Sequence, residues 1–200
     1  MKWVLIRHGK TQGNLERRYI GSRTDEPLCA QGIAELKEKR CPTVQRVYVS
    51  PMKRCIETAA ILYPGVPADV VEDFRECDFG DFENLNYIEL NGRKDYQAWI
   101  DSNGEMPFPN GESRAVFAAR CVRAFEKVSG QAEDCAIIAH GGTLMAIMER
   151  FARPAGCYYD FQVKNGEGFL LNEDGSYQPI GSSESDQTFR RNQTETSESN

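Results

Sequence analysis

Histidine and long apolar runs are both scarce in this sequence of 200 residues. No stretch approaches the roughly 20 apolar residues of a membrane-spanning helix, so we expect no membrane partner. Only the four residues from Trp3 to Ile6 are apolar before Arg7, which is too short for the core of a secretion signal. We therefore expect a cytoplasmic protein. Any histidine chemistry of this chain depends on two residues, His8 and His140.

An excess of positive charge and a paired-cysteine motif are also missing. The formal net charge is −6 at pH 7, whereas nucleic-acid binding needs a basic face, so we expect no nucleic-acid partner. The seven cysteines are odd in number and form no C-x-x-C pair. This pattern favours reduced thiols over disulfides or a zinc site. We expect no metal ion and no organic cofactor.

Short apolar segments alternate with amphipathic ones along most of the chain. We predict strands over residues 3–6, 46–50, 68–74 and 135–139, and a closing hairpin of residues 158–163 and 168–171 around Lys164-Asn165-Gly166. We predict helices over residues 30–40, 51–63, 87–101, 112–128 and 144–151.

Two of these helices carry more detailed predictions. Because serine is a good N-cap and proline suits the first helical position, Ser50 and Pro51 are expected to start the helix over 51–63. The helix over 112–128 is expected to bury an apolar stripe of Val116, Ala119, Val122 and Phe125.

The last 19 residues are almost entirely polar. Phe189 is the sole large apolar residue between positions 182 and 200, so this stretch cannot bury enough surface to fold alone. We predict one domain over residues 1–181 and a flexible tail over residues 182–200.

Polar side chains follow three of the predicted strands. Arg7 and His8 follow the first strand, Arg54 lies in the helix after the second, and His140 follows the strand over 135–139. Ligands of open α/β sheets bind at the carboxyl ends of strands, and the amides of a helix start such as Gly141 suit an anion. The set therefore predicts a phosphate site.

The residue types in this set predict phosphoryl transfer without a metal ion. A neutral histidine can attack phosphorus, so His8 is the expected nucleophile. Arg7, Arg54 and a protonated His140 are expected to stabilise the charge on the equatorial oxygens. Glu76, in a segment where acidic and aromatic residues alternate, is the expected proton donor and later base. Its alternatives are Glu83, Asp78 and Asp81.

Four motifs, in order, resemble those of the histidine phosphatase superfamily, which includes the phosphoglycerate mutases. They are Arg7-His8-Gly9-x-Thr11-x-x-Asn14, Ser50-Pro51-x-x-Arg54-x-x-x-Thr58-Ala59, Glu76-x-x-Phe79-Gly80-x-Phe82-Glu83 and His140-Gly141-Gly142. The resemblance covers roughly residues 3–180. It implies a three-layer α/β/α sandwich with a mostly parallel mixed sheet, with His8 as nucleophile and Glu76 as proton donor. It also implies a phosphate pocket lined by Arg7, Arg54, His140, Asn14 and the backbone near Gly21.

The chain departs from the family pattern at two places. Lys10 stands where the family more often has an acidic residue or glutamine, and Glu83-Asn84 stands where it commonly has Glu-Gly. Neither position belongs to the reacting groups. Both are therefore expected to change the rim of the pocket, and with it the substrate.

The resemblance leaves three functions open: a phosphomonoesterase, a phosphoglycerate mutase and an inactive module that binds a phosphorylated ligand. Residues 83–112 make only a short lid, which lets water reach a phosphohistidine and so favours hydrolysis. All the reacting residues are present, which disfavours the inactive module.

The substrate is expected to be a small phosphate ester. Residues 18–28, the short lid and the break over 109–113 resemble the α-ribazole phosphatases of cobalamin assembly, which implies α-ribazole 5′-phosphate. Tyr19, Phe82 and Tyr87 either stack on the aromatic base of such a substrate or simply pack the lid. Phosphatases with broad specificity for sugar and nucleotide phosphates share these motifs and remain the alternative.

Overall fold

Six strands form one sheet in the computed structural model, which describes residues 1–131 and 133–181. The strands are β1 (Lys2–Arg7), β2 (Arg46–Val49), β3 (Ala68–Val70), β4 (Cys135–Ala139), β5 (Gly168–Asn172) and β6 (Tyr177–Ile180). Their order across the sheet is β3-β2-β4-β1-β5-β6. β1 to β4 pair in parallel, whereas β5 is antiparallel to both of its neighbours. The sheet is mixed and mostly parallel, as predicted.

Seven α-helices accompany the sheet within the described residues. They are α1 (Gln12–Leu15), α2 (Ala30–Lys37), α3 (Lys53–Leu62), α4 (Tyr87–Leu90), α5 (Lys94–Asp101), α6 (Arg114–Ser129) and α7 (Gly141–Phe151). Trp3 and Leu5 of β1 belong to an apolar cluster with side chains of α6 and α7. Val4 and Ile6 point to the opposite face and join a second cluster with side chains of α3. Helices thus cover both faces, which confirms the predicted three-layer sandwich.

A third apolar cluster lies at one end of the sandwich and is rich in aromatic side chains. Phe82, Phe108 and Phe117 are buried in it, and Tyr19 and Trp99 pack against it. Most of these rings come from residues 79–113, the connection that precedes α6 and includes α4 and α5. We call residues 79–113 the aromatic lid, and this segment includes the short lid of residues 83–112 predicted from the sequence.

The start of α3 differs from the prediction. The helix begins at Lys53 with Met52 as its N-cap, so Ser50 is not the N-cap and Pro51 precedes the helix. The Ser50 hydroxyl oxygen lies 2.8 Å from Nε2 of His140 instead. A contact with a residue distant in the sequence has replaced the expected local cap.

The predicted hairpin is wrong in its first arm. Tyr158–Phe161 form a 3₁₀ helix, and β5 pairs with β1 and β6. The predicted turn exists, since Gly166 has a φ of +72° and its amide donates to the carbonyl oxygen of Arg7 at 2.9 Å. The Asn-Gly signal therefore marks a turn that packs on the end of β1 rather than the turn of a hairpin.

Three further elements differ in extent or orientation. The predicted helix over 87–101 is interrupted at Gly92, which has a φ of +83° and separates α4 from α5. β3 ends at Val70, and Glu72–Phe74 form a 3₁₀ turn in place of the rest of the predicted strand. In α6, Val116 and Ala119 are exposed and Val122 is half-buried, so Phe125 alone of the predicted apolar stripe is buried. The buried residues of α6 are Phe117, Cys121, Ala124, Phe125 and Val128.

The predicted tail over residues 182–200 lies outside the described residues, so the boundary after residue 181 stays a prediction. The seven cysteines carry free thiols, and four of them are buried. Among the helices of residues 1–131 and 133–181, none is long and apolar enough to cross a membrane.

Candidate active site

The carboxyl ends of β1, β2 and β4 bring the two histidines together. The amide of His8 donates to the carbonyl oxygen of Ala139 at 2.9 Å, and the amide of Ser50 donates to that of Ile138 at 3.0 Å. Because parallel strands end at the same edge of the sheet, the rings of His8 and His140 lie with their centroids 5.2 Å apart. The predicted meeting of the first and last motifs is confirmed.

His8 is buried, and one of its ring nitrogens has a fixed role. Nδ1 lies 2.7 Å from the carbonyl oxygen of Gly9, which can only accept a hydrogen bond, so Nδ1 carries the proton. Burial lowers the pKa of His8 well below its usual range, and the positive charges of Arg54 and Arg7 add to this effect. The ring is therefore neutral near pH 7, with a free electron pair on Nε2.

His140 is fully buried and has different partners on its two nitrogens. Nε2 lies 2.8 Å from Oγ of Ser50 and 3.6 Å from Sγ of Cys55, whereas Nδ1 lies 3.9 Å from Oε2 of Glu76. Burial lowers the pKa of His140 well below its usual range, and the charge of Arg54 acts in the same direction. These causes favour a neutral His140 ring, which differs from the protonated ring predicted from the sequence.

Two arginines hold buried guanidinium groups beside these rings. Nη1 of Arg7 donates to the carbonyl oxygen of Val163 at 2.8 Å, and Nη1 of Arg54 donates to that of Thr24 at 2.8 Å. The Nε atoms of both arginines are buried and have no hydrogen-bond partner among the described residues. A buried donor without an acceptor is costly, so an anion that accepts from both would relieve this cost.

The three predicted substrate-binding residues lie beside these groups. Oδ1 of Asn14 accepts hydrogen bonds from the amide of Thr11 at 3.2 Å and from Nδ2 of Asn165 at 3.1 Å, which fixes the orientation of the Asn14 side chain. The carbonyl oxygen of Gly21 accepts from Nη2 of Arg54 at 3.1 Å. A Cβ atom at Gly141 would lie 3.5 Å from Nε of Arg7, so this glycine lies next to the guanidinium group.

Glu76 is the carboxylate that faces His140, and it is 8% exposed. Its Oε1 accepts a hydrogen bond from the amide of Cys77 at 2.9 Å. Burial raises the pKa of Glu76, although the Cys77 amide and the charge of Arg54 act against this effect. A raised pKa keeps the carboxyl group protonated to a higher pH than usual, which a proton donor requires.

The rival carboxylates have other partners. Asp78 forms a salt bridge with Arg23 at 2.8 Å, and Asp81 accepts from Nδ2 of Asn110 at 2.9 Å. Glu83 accepts from the amide of Arg23 at 2.8 Å, and burial raises its pKa as well. Glu83 therefore shares the electrostatic property of Glu76, but its contacts are with residues 23–24 rather than with either histidine. Within the described ranges, no three His, Cys, Asp or Glu side chains cluster in a way that could hold a metal ion.

The family match follows from the same motifs. Residues 3–178 match the model of the histidine phosphatase superfamily (branch 1), which is most of the chain. The chain belongs to this superfamily. It is therefore a phosphatase, as the reacting residues predicted.

Curated relatives of this histidine phosphatase include enzymes with two kinds of name. The adenosylcobalamin/α-ribazole phosphatase of Salmonella typhimurium is 29% identical over 178 residues, covering 83% of this chain and 87% of the relative. The phosphoglycerate mutase-like protein 4 of Arabidopsis thaliana is 31% identical over 165 residues, covering 76% of this chain and 71% of the relative.

Solved structures show the same two kinds of relative. The α-ribazole phosphatase of Shigella flexneri has a TM-score of 0.79 at 26% identity and covers 91% of this chain and 96% of its own. A phosphoglycerate mutase of Thermus thermophilus has a TM-score of 0.71 at 25% identity, covering 92% of this chain and all of its own. The phosphoglycerate mutase-like fold is therefore established for this histidine phosphatase.

A cavity of about 170 Å³ adjoins Glu76 on the side of the aromatic lid. Its lining consists of Glu76, Cys77, Phe79, Trp99, Gly104, Phe108, Arg114, Phe117, Gly142, Met145, Tyr158 and Tyr159. Nε1 of Trp99 is buried and has no hydrogen-bond acceptor among the described residues. The cavity thus offers flat apolar faces and a carboxyl group.

The three aromatic residues predicted to stack on a substrate do not line this cavity. Phe82 is fully buried, and Tyr19 packs against Phe79, Phe82, Tyr96, Trp99 and Phe108, so both pack the lid. Tyr87 is 51% exposed on α4. Of the two alternatives left open by the sequence, packing of the lid holds for Phe82, because its ring has no accessible face.

Sequence reasoning missed three residues that hold the site. Ser50 contacts His140, and Asn165 donates to the carbonyl oxygen of His8 at 3.1 Å as well as to Asn14. Arg120 of α6 donates to the carbonyl oxygens of Asp73 and Arg75 at 2.8 and 2.9 Å, which fixes the segment before Glu76. The local sequence assigns Ser50 to a helix cap and Asn165 to a turn, so neither was expected to contact the site. No pattern around Arg120 distinguishes it from a surface arginine.

Proposed function

We propose that this histidine phosphatase hydrolyses a small phosphate monoester through a phosphohistidine on His8. The observation that carries this proposal is the 2.7 Å hydrogen bond between Nδ1 of His8 and the carbonyl oxygen of Gly9. It holds the proton on Nδ1 and leaves the Nε2 electron pair free to attack phosphorus without a separate base.

The other site residues stabilise the phosphoryl group in this scheme. Arg7 and Arg54 supply their unused buried N–H donors and positive charge to the equatorial oxygens, where charge is spread in the transition state. Further donors come from His140, from Asn14 and from the backbone near Gly21 and Gly141. Glu76 protonates the leaving alkoxide and then removes a proton from the water that attacks the phosphohistidine.

This scheme requires no metal ion or organic cofactor. Two guanidinium groups supply the positive charge that metal ions supply in other phosphoryl-transfer enzymes. Dialysis against EDTA should therefore leave the turnover of p-nitrophenyl phosphate unchanged. Loss of turnover that a single divalent ion restores would contradict this part of the proposal.

Trapping of the intermediate tests the role of His8. Enzyme mixed with a ³²P-labelled ester and denatured in alkali, in which phosphohistidine survives, should carry label on the peptide that contains His8. A chase with unlabelled ester should remove the label, and His8→Asn should not acquire it. Label on another residue, or turnover by His8→Asn above one tenth of wild type, would refute the assignment.

We propose α-ribazole 5′-phosphate as the substrate, which places the enzyme in the cytoplasm and in cobalamin assembly. The names of the Salmonella and Shigella relatives support this proposal. The cavity supports it independently, because the organic part of a leaving group that Glu76 protonates extends past Glu76 into the aromatic lining. A cavity of about 170 Å³ with aromatic walls suits one flat ring system.

The cavity is less suited to 3-phosphoglycerate, the substrate of a mutase. That molecule has a carboxylate and no ring, and the cationic residue of the lining, Arg114, is already paired with Glu105 at 2.9 Å. Incubation of 3-phosphoglycerate with 2,3-bisphosphoglycerate should therefore release phosphate slowly and form no 2-phosphoglycerate. Rapid formation of 2-phosphoglycerate would favour the mutase.

A panel of esters tests the substrate. Ribose 5-phosphate is the matched control for α-ribazole 5′-phosphate, because it has the same phosphate and sugar but no base. We expect kcat/KM to be at least about tenfold higher for the α-ribazole ester, which corresponds to about 1.4 kcal/mol of transition-state discrimination. A smaller preference, or equal activity on adenosine monophosphate, would favour a phosphatase of broad specificity.

A further inference from the structure

The ring of His140 lies between two different environments. Nε2 faces the hydroxyl group of Ser50 at 2.8 Å and the thiol of Cys55 at 3.6 Å, and both of these groups can donate a hydrogen bond. Nδ1 lies 3.9 Å from Oε2 of Glu76, the proposed proton donor, and the same Cys55 sulfur lies 3.9 Å from it. The two nitrogens have different tasks, so the position of the single proton on a neutral ring matters.

The surroundings of Ser50 decide which way its hydroxyl group points. Its Oγ already accepts a hydrogen bond from the amide of Met52 at 3.4 Å. Ser50 is fully buried, so its hydroxyl proton has no access to solvent, and its two partners within reach are Nε2 of His140 at 2.8 Å and the sulfur of Cys55. Because sulfur is a weak acceptor, this arrangement favours donation to Nε2, which leaves that nitrogen without a proton of its own.

We propose that Ser50 is a positioning residue that holds the proton of His140 on Nδ1. In this tautomer the neutral ring presents an N–H donor to a phosphate oxygen. In the other tautomer Nδ1 would present an electron pair to the same oxygen and repel it. The tautomer itself is independent of the proposed function, and only its consequence for catalysis rests on that function.

This role explains why a serine precedes Pro51 although it caps no helix. β2 ends at Val49, which pairs with Ile138 of β4, so residue 50 lies opposite Ala139 and adjacent to His140, the residue that follows β4. A small side chain with one rotatable hydroxyl group suits this position. Alanine would keep the backbone but lose the donor, and threonine would keep the donor.

Nitrogen NMR of the imidazole rings measures the tautomer directly. The chain has two histidines, so ¹⁵N-histidine labelling of an untagged protein gives two ring spin systems. Protonated and unprotonated ring nitrogens differ widely in chemical shift. We expect both rings of the wild type to carry the proton on Nδ1, His8 because of Gly9 and His140 because of Ser50. A proton on Nε2 of His140 would overturn the proposal.

Substitution of Ser50 tests whether this residue sets the tautomer of His140. In Ser50→Ala the His140 signals should move toward those of the Nε2–H tautomer, and in Ser50→Thr they should return to the wild-type positions. The His8 signals are the internal control for a folded site and should not change. If the His140 tautomer is unchanged in Ser50→Ala, Ser50 does not set it. If the alanine variant does not fold, Ser50→Cys replaces it, because a thiol group is a weaker donor of similar size. The His140 signals of this variant should also move toward those of the Nε2–H tautomer.

Kinetics connect the tautomer to catalysis. We expect Ser50→Ala to lower kcat for an aryl phosphate by about 10- to 100-fold with a smaller change in KM, and Ser50→Thr to restore most of it. A loss confined to KM would contradict a role in the transition state. Should the phosphohistidine not be found, the NMR result still decides the tautomer, so failure of the proposed function and failure of this inference are distinguishable.

Discussion

The two ends of the active site are held in place by different kinds of structure. At the phosphate end, His8, His140 and Arg54 are buried, and their backbone positions follow from β1, β4 and α3. At the other end, the aromatic lid packs rings such as Phe108 and Trp99 edge to face or tilted, on short helices joined by turns. The phosphate end is held by the register of the sheet, and the cavity end by side-chain packing of a connection.

This difference indicates how the two tasks of the enzyme are divided. Polar groups that must meet within a few ångströms are placed by paired strands, which leave little freedom of position. In the proposed function, selectivity for the organic group depends on a connecting segment, which changes more freely without loss of the core. Arg54 belongs to the phosphate end, where its guanidinium group also donates to the carbonyl oxygens of Gly21 and Thr24.

Arg54→Met should have the largest effect of the substitutions at either end. It removes a buried charge beside both histidines and the hydrogen bonds to residues 21 and 24, so kcat/KM should fall about 10³-fold or more for every ester. Lys53→Met is the matched control on the same turn, because the Lys53 side chain is 62% exposed. Steady-state kinetics on aryl and alkyl esters check the prediction. An effect limited to one class of ester would show that Arg54 belongs to the cavity end.

Glu76→Gln, at the junction of the two ends, should slow poor leaving groups most. Alkyl phosphates need a proton on the leaving oxygen, so kcat should fall about 10²-fold, whereas p-nitrophenyl phosphate should lose only a few fold. The raised pKa of Glu76 means that wild-type kcat declines as the pH rises through that pKa, since the proton is then lost. The variant should lack this decline.

Asp81→Asn is the control for that substitution, because Asp81 bonds to Asn110 rather than to the histidines. It should retain the wild-type pH profile and nearly the wild-type rate. Equal slowing of alkyl and aryl esters by Glu76→Gln would indicate a binding role for Glu76. Glu83 would then be the next candidate for the proton donor.

Trp99→Ala should change the cavity end alone. Loss of a stacking face should lower kcat/KM for the α-ribazole ester about tenfold, while a small alkyl phosphate is hydrolysed at nearly the wild-type rate. Tyr87→Ala is the control, because this exposed ring lies outside the lining of the cavity. If Tyr87→Ala has the larger effect, the substrate base lies on the outer surface of the lid.

Deletion of residues 182–200 should have the smallest effect. A polar segment adds little to a core, so kcat and Tm should stay close to the wild-type values. Differential scanning calorimetry and the same kinetic assays check this. A drop of several degrees in Tm or of tenfold in kcat would show that these residues contact one of the two ends.

The phosphate end was largely predictable from the sequence, and the reason is physical. His8 and His140 each follow a short apolar strand and precede a glycine, so their shared edge of the sheet follows from the rule for parallel strands. Ser50 was misread because its local sequence, with Pro51 next to it, is equally compatible with a helix cap. Only the pairing of β2 with β4 shows that its partner is His140.

The cavity end was less predictable for a related reason. Aromatic residues in a connection show neither helical nor strand periodicity that assigns a face, so Tyr19, Phe82 and Tyr87 were chosen by their place in the chain alone. The rings that line the cavity come from distant segments, with Trp99 on α5, Phe117 on α6 and Tyr158 in a 3₁₀ helix. Which rings face inward depends on how these segments pack, and the sequence pattern does not encode that packing locally.

The position of β1 in the sheet has a consequence for biosynthesis. β1 is made before the other five described strands, but its two neighbours, β4 and β5, are among the last of the described strands to be made. Until Asn172 has emerged, at least one apolar edge of β1 has no pairing strand, and open edges promote association between nascent chains. Contacts between segments so distant in sequence also slow folding. A chain that stalls before β5 therefore contains both histidines and an open β1 edge, and we expect it to depend on chaperones.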